Sequence, residues 1–124
     1  RREHEDAVCR VTFPIDVHAT DPNKEKGIER ADFRVTFYDI PYRALVAKDV
    51  QGLLTAGRCI SGDFIAHSSY RVTGNAVPMG ETAGVAAALA AQSNCLPSEL
   101  PWVEIQARRK QLRTQTAAQS GSKS

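Results

Sequence analysis

Hydrophobic and polar positions alternate twice in the first third of the chain. From Ala7 onward, Cys9, Val11 and Phe13 share one side, while Val8, Arg10 and Thr12 share the other. A period of two is the mark of a half-buried strand. Pro14 weakens or ends the pairing. Ile15-Asp16-Val17-His18 continues extended, which places Asp16 and His18 on one face. After a polar loop from Ala19 to Glu29, residues 32–38 alternate again, with Phe33, Val35 and Phe37 against Arg34, Thr36 and Tyr38. The two runs read as antiparallel strands joined by a long loop, and so short a pair belongs in a larger sheet. Ile40-Pro41-Tyr42-Arg43 reads as a turn, because the residue before a proline is pushed out of the helical region.

The pattern then changes period. Residues 50–57 read as a short buried strand ending at Gly57, where the backbone turns or approaches a ligand closely. Ser61-Gly62-Asp63 makes a polar turn, and Phe64 to Tyr70 fits neither period. A helix is expected over 75–92, with Asn75 as N-cap and Pro78 in its first turn. Gly80, Gly84, Ala87, Ala88 and Ala91 recur at spacings of three and four, so one face of that helix has almost no side chains. A helical glycine costs about 1 kcal/mol against alanine, so two of them call for close approach by a strand or a ligand. Asn94 and Pro97 stop the helix. A last helix over about 98–116, opened by Ser98 or Pro101, has its apolar positions at Trp102, Ile105 and Leu112. Residues 120–124 read as a disordered polar tail.

Composition narrows the chemistry. The 124 residues suit one small domain or a piece of a larger protein, and 42% hydrophobic with 24% charged residues excludes wholesale disorder. A formal charge of +2 is too small to imply nucleic acid as partner. Cys9, Cys59 and Cys95 form no paired spacing, and His4, His18 and His67 share no ligand spacing, so neither a disulfide framework nor a metal site is indicated. The small-apolar run from Ala83 to Ala91 falls far short of the ~20 residues that span a bilayer. The charged start, Arg1 to Asp6, is no secretory signal, which makes a cytoplasmic location the default unless upstream targeting sequence is missing. Arg108, Arg109, Lys110 and Arg113 read as solvated helix surface that complements the helix dipole. Two sites stay open. Asp16 and His18 form a surface pair, an acid–base pair or two metal ligands. The segment Gly74 to Val77 is either an ordinary helix start or a place where unpaired N–H groups meet an anion or carbonyl oxygen.

Several ordered blocks carry a resemblance. Phe13 to His18, Tyr38 to Val46, Leu53 to Ser61, Arg71 to Gly74 and Met79 to Ala90 are similar, in that order, to the C-terminal part of FAD-dependent oxidoreductases of the fumarate-reductase-like, glutathione-reductase-type group. The likeness runs from about Asp6 to Leu112. It implies an α/β (α+β) fold: the C-terminal portion of a Rossmann-type FAD-binding fold with part of an antiparallel substrate-domain sheet. Residues 1–46 would end that sheet, and 47–119 would complete the FAD-binding domain. The Gly-x-Gly-x-x-Gly element that grips the FAD pyrophosphate in such folds does not occur in these 124 residues, so the resemblance implies a C-terminal fragment.

Carried onto this sequence, the resemblance implies FAD contacts at Ala56, Gly57, Arg58, Cys59 and Ser61, near the ribityl chain and pyrophosphate. Gly74, Asn75, Ala76 and Val77 would meet the flavin pyrimidine edge through their backbone. Gly80 would let the helix approach the nucleotide-binding half. Arg43, Arg71, Asp16 and His18 would face the flavin and substrate cavity, with Arg71 in an electrostatic or proton-transfer role beside Asp16 and His18. The implied activity is hydride transfer to or from an organic substrate. The alternative is a noncatalytic remnant or interaction module that binds no cofactor.

Overall fold

The computed structural model describes residues 3–14 and 36–121. Asp16 and His18, with most of the second alternating run, lie outside the described residues. The described residues form a mixed α+β arrangement of three α-helices and a two-stranded antiparallel sheet.

Strand β1 (Ala7–Val11) pairs with β2 (Tyr38–Pro41). Ile40 and Pro41, expected in a turn, are the end of β2, and the chain turns only afterwards, in a 3-10 helix from Tyr42 to Leu45. The even alternation expected along β1 is broken. Ala7 pairs with Pro41 and Cys9 with Ile40, so Val8 is an extra residue in a bulge. Val8 and Val11, three apart, are both buried, because a bulge shifts the phase of a strand by one residue. The bulge also re-aims the Val8 carbonyl. It accepts from both terminal nitrogens of Arg109, each at 3.3 Å.

The strand expected over 50–57 is not a regular strand. Among the described residues only Leu54 pairs, with Val46, flanked by Ala47 N–H to Leu53 O at 3.0 Å and Thr55 N–H to Leu45 O at 2.8 Å. Extended backbone becomes a strand only where a neighbour continues the ladder, and here it spans a single rung. Residues 57–59 already form a 3-10 turn.

The unassigned stretch is helix α1 (Phe64–Tyr70), capped by Asp63, whose carboxylate accepts from Ala66 N–H at 2.7 Å. Helix α2 runs from Thr73 to Ser93, two residues earlier than expected. Val72, not Asn75, occupies the N-cap position. Asn75 is buried inside the first turn, and Pro78 therefore sits beyond that turn, where it removes a ladder hydrogen bond. Asn94 ends the helix as expected, in a left-handed conformation with φ of 50°.

One face of α2, carrying Asn75, Met79, Thr82, Val85, Ala86 and Ala90, is buried in the core with Val8, Val11, Ile40, Leu45 and Ile105. Among the described residues the glycine face does not pack on a strand. Gly80, Gly84, Ala87, Ala88 and Ala91 are exposed, and a Cβ added at Gly80 or Gly84 would meet nothing within 4 Å.

Helix α3 (Trp102–Gly121) begins later than expected and passes the expected end, taking in the first two residues of the supposed tail. A 3-10 turn from Pro97 to Glu99 precedes it, where Leu96 N–H donates to the Glu99 carboxylate at 2.7 Å. Arg109 is no solvated surface residue. It is buried, 3.5 Å from Glu81 and 5.9 Å from the Trp102 ring, and it ties α3 to both α2 and β1. No helix among the described residues is long and apolar enough to cross a membrane.

Candidate functional site

Two of the segments expected at the cofactor come together. The 3-10 turn Gly57–Cys59 packs against the first turns of α2, and a Cβ at Gly57 would lie 3.3 Å from that of Ala76. Gly57 has φ of +60°, a conformation glycine adopts without strain, so the sequence places glycine where both the turn and the contact require it. Ala56 enters this turn as extended backbone, while Arg58, Cys59 and Ser61 are exposed along it.

The bonds between the two segments run mostly through α1. Arg58 Nε donates to Arg71 O at 3.3 Å, and the His67 ring lies 3.4 Å from Arg58 O. Tyr70 donates its hydroxyl to Ile60 O at 3.0 Å, and Tyr70 O accepts from Asn75 Nδ2 at 3.4 Å. Burial pushes the Tyr70 phenol above its ordinary pKa, which keeps the hydroxyl a donor. Arg71 ends α1, its N–H bonded to His67 O at 3.1 Å.

At the start of α2 the available donors differ from those expected. Asn75 and Ala76 N–H both turn back to Val72 O, at 3.0 and 3.2 Å, and Val77 lies within the helix. The N–H groups of Thr73 and Gly74 have no acceptor among the described residues. Val72 supplies no side-chain cap, and the first turn holds no acidic residue. Gly74 adds no bulk there, since a Cβ on it would meet nothing within 4 Å. Val77 and Gly80 extend the same helix on its exposed side. Two donors without an acceptor among the described residues, at the positive end of a 21-residue helix, suit a carbonyl oxygen or an anion.

Arg43 is held elsewhere. It pairs with Asp6 at 2.5 Å and lies 3.0 Å from the His4 ring, bordering a groove of about 740 Å³ with Trp102 and Gln106. Three residues that matter to the geometry escaped the pattern reading. Asp63 and Tyr70 bracket α1, and Asp63 before an unassigned run was the signal available for that helix. Thr73 became an open donor only because α2 begins two residues early.

No group of three or more His, Cys, Asp or Glu side chains among the described residues is arranged to hold a metal ion. No curated protein and no solved structure matches the chain. The family model described as FAD dependent oxidoreductase matches residues 1–112. From the first strand into α3, the chain belongs to the FAD dependent oxidoreductases, an oxidoreductase family whose cofactor is FAD.

Proposed function

We propose that this chain is the C-terminal, flavin-facing part of an FAD-dependent oxidoreductase that moves hydride to or from an organic substrate. The observation that carries this reading is the uncapped first turn of α2 beside the Gly57 turn, with Thr73 and Gly74 N–H open and no carboxylate nearby in the turn. The donor set fits the oxygen-bearing, electron-accepting edge of a flavin. When bound, FAD supplies the hydride chemistry. The chain's own part is binding and electrostatics. Thr73 and Gly74 would orient the ring edge, and the α2 dipole, worth roughly half an elementary charge at its end, would favour negative charge there and raise electron affinity.

The turn from Ala56 to Ser61 would run beside the ribityl chain, with exposed Arg58 available to a phosphate oxygen. Arg71 stands at the α1–α2 junction as the candidate electrostatic or proton-transfer group. Asp16 and His18 keep their proposed place near the substrate. Arg43, paired with Asp6, would reach the cavity only after leaving that partner. The bare face of α2 would lie against the nucleotide-binding portion, which must supply the phosphate grip.

Thr73→Pro tests the reading. Proline at the first helical position fits the helix and removes one open N–H. In the full-length flavoprotein the lost hydrogen bond is worth about 0.5–1.5 kcal/mol, and it should lower the flavin midpoint potential by roughly 10–30 mV on the two-electron scale. An unchanged potential and unchanged FAD affinity would reject it. The isolated 124-residue chain is expected to bind little FAD and to turn nothing over. A yellow product whose flavin spectrum survives desalting would contradict that.

A further inference from the structure

We propose that Tyr70 is the positioning residue that fixes the Gly57–Ser61 turn against the first turn of α2, an inference that rests on the flavin-site reading above. The two segments are separated in sequence by α1, and Tyr70 makes a hydrogen bond towards each. Its hydroxyl donates to Ile60 O at 3.0 Å, inside the turn, and its carbonyl accepts from Asn75 Nδ2 at 3.4 Å, inside α2. All three residues are buried. The ring has no freedom to swing away. A Cβ built on Gly62 would lie 2.5 Å from the Tyr70 hydroxyl, so Gly62 is where the chain passes directly under it. The His67 ring also meets Tyr70 edge-on, 5.2 Å between centroids. Tyr70 touches no reacting atom; it sets the spacing between the backbone that would run along the ribityl chain and the donors that would meet the ring edge.

Tyr70→Phe keeps the ring and removes the bond, leaving the buried Ile60 carbonyl without its donor. In the full-length holoenzyme it should weaken FAD binding about 5- to 10-fold, the worth of one buried hydrogen bond, and shift the flavin midpoint potential. Ile105→Val, which trims a fully buried core residue on α3, is the control. It should lower the melting temperature while leaving FAD affinity and potential at wild-type values. Gly62→Ala gives an independent check, because its Cβ must displace the Tyr70 hydroxyl; it should weaken FAD binding in the same direction. If Tyr70→Phe changes only the melting temperature, as Ile105→Val does, the positioning role is overturned. If Thr73→Pro alters FAD binding and Tyr70→Phe does not, Tyr70 alone is rejected. If neither alters it, the flavin-site reading falls and Tyr70 with it.

Discussion

Glu81 holds two arginines of very different standing, and the difference sets a measurable order among three variants. The Arg113 side chain is 60% exposed, Glu81 28% and Arg109 only 9%. Arg113 makes the better-looking bridge, at 2.7 Å, yet an exposed pair contributes about 0–1 kcal/mol. Arg113→Ala should therefore barely change stability. Glu81→Ala should be worse, because it leaves the buried Arg109 without its carboxylate, a loss of about 1–3 kcal/mol for a pair buried on one side. Arg109→Met removes the buried charge together with its bonds to Val8 O and its contact with Trp102, while keeping the side-chain stem in place. Glu81→Ala combined with Arg109→Met should then cost less than the sum of the two. Trp102 is the chain's single tryptophan and lies 5.9 Å from the Arg109 guanidinium, so urea unfolding followed by its emission reads the cluster directly. An Arg113→Ala loss as large as that of Glu81→Ala would refute the reasoning, as would strict additivity in the cycle. The pH dependence follows with a definite sign. The hydrogen bond from Arg113, aided by the Arg109 charge, holds the Glu81 carboxyl below its ordinary pKa. Its stabilisation is thus present above the ordinary carboxylate range and is lost as pH falls through the lowered value.

Two further expectations use other parts of the molecule. Gly57→Ala should lower stability by about 1–2 kcal/mol for the positive φ alone, plus whatever the 3.3 Å approach to Ala76 adds. Gly52→Ala, at φ of +74° with nothing within 4 Å, isolates the backbone part, and equal thermal shifts for the two would show that the Ala76 contact is slack. Cys9, whose thiol burial pushes from 9.0 to about 11, should alkylate more slowly than exposed Cys59 at pH 8. Because the folded value is raised, Cys9 favours the fold fully below pH 9, and that contribution is lost as pH rises towards about 11. Mass spectrometry after timed iodoacetamide treatment reads the labelling order, and Cys9 labelling first would contradict the burial argument.

Local signals were legible where local forces decide. The alanine-rich run and Asn94 mark the body and end of α2, because propensity and a left-handed cap act within a few residues. The start was misplaced by two residues because Asn75, a good cap by type, is buried and bonds back to Tyr70 instead. The run from Val50 to Gly57 reads as a strand from its apolar residues, but a strand needs a ladder, and only the Val46–Leu54 rung forms. The bulge at Val8 is met by Arg109, far along the chain, and no window around either residue reveals the pair. The site shows the same division. The turn at Gly57 and the α2 start were readable as blocks, whereas the identity of the open donors, Thr73 and Gly74, depends on where the helix begins.

The bond from Arg109 to the bulged Val8 joins residues 101 positions apart, which orders the events of folding. Closing so long a loop is entropically costlier than winding α2 or pairing Val46 with Leu54, so the contact between α3 and β1 forms late. Until it does, the re-aimed Val8 carbonyl has no donor, and the short sheet offers an unfinished place for stray chains to pair. The last helix therefore acts as a latch on the first strand. Arrival of Trp102 beside Tyr42 marks the moment it shuts, and the slowest phase in a refolding trace of tryptophan emission should report that step.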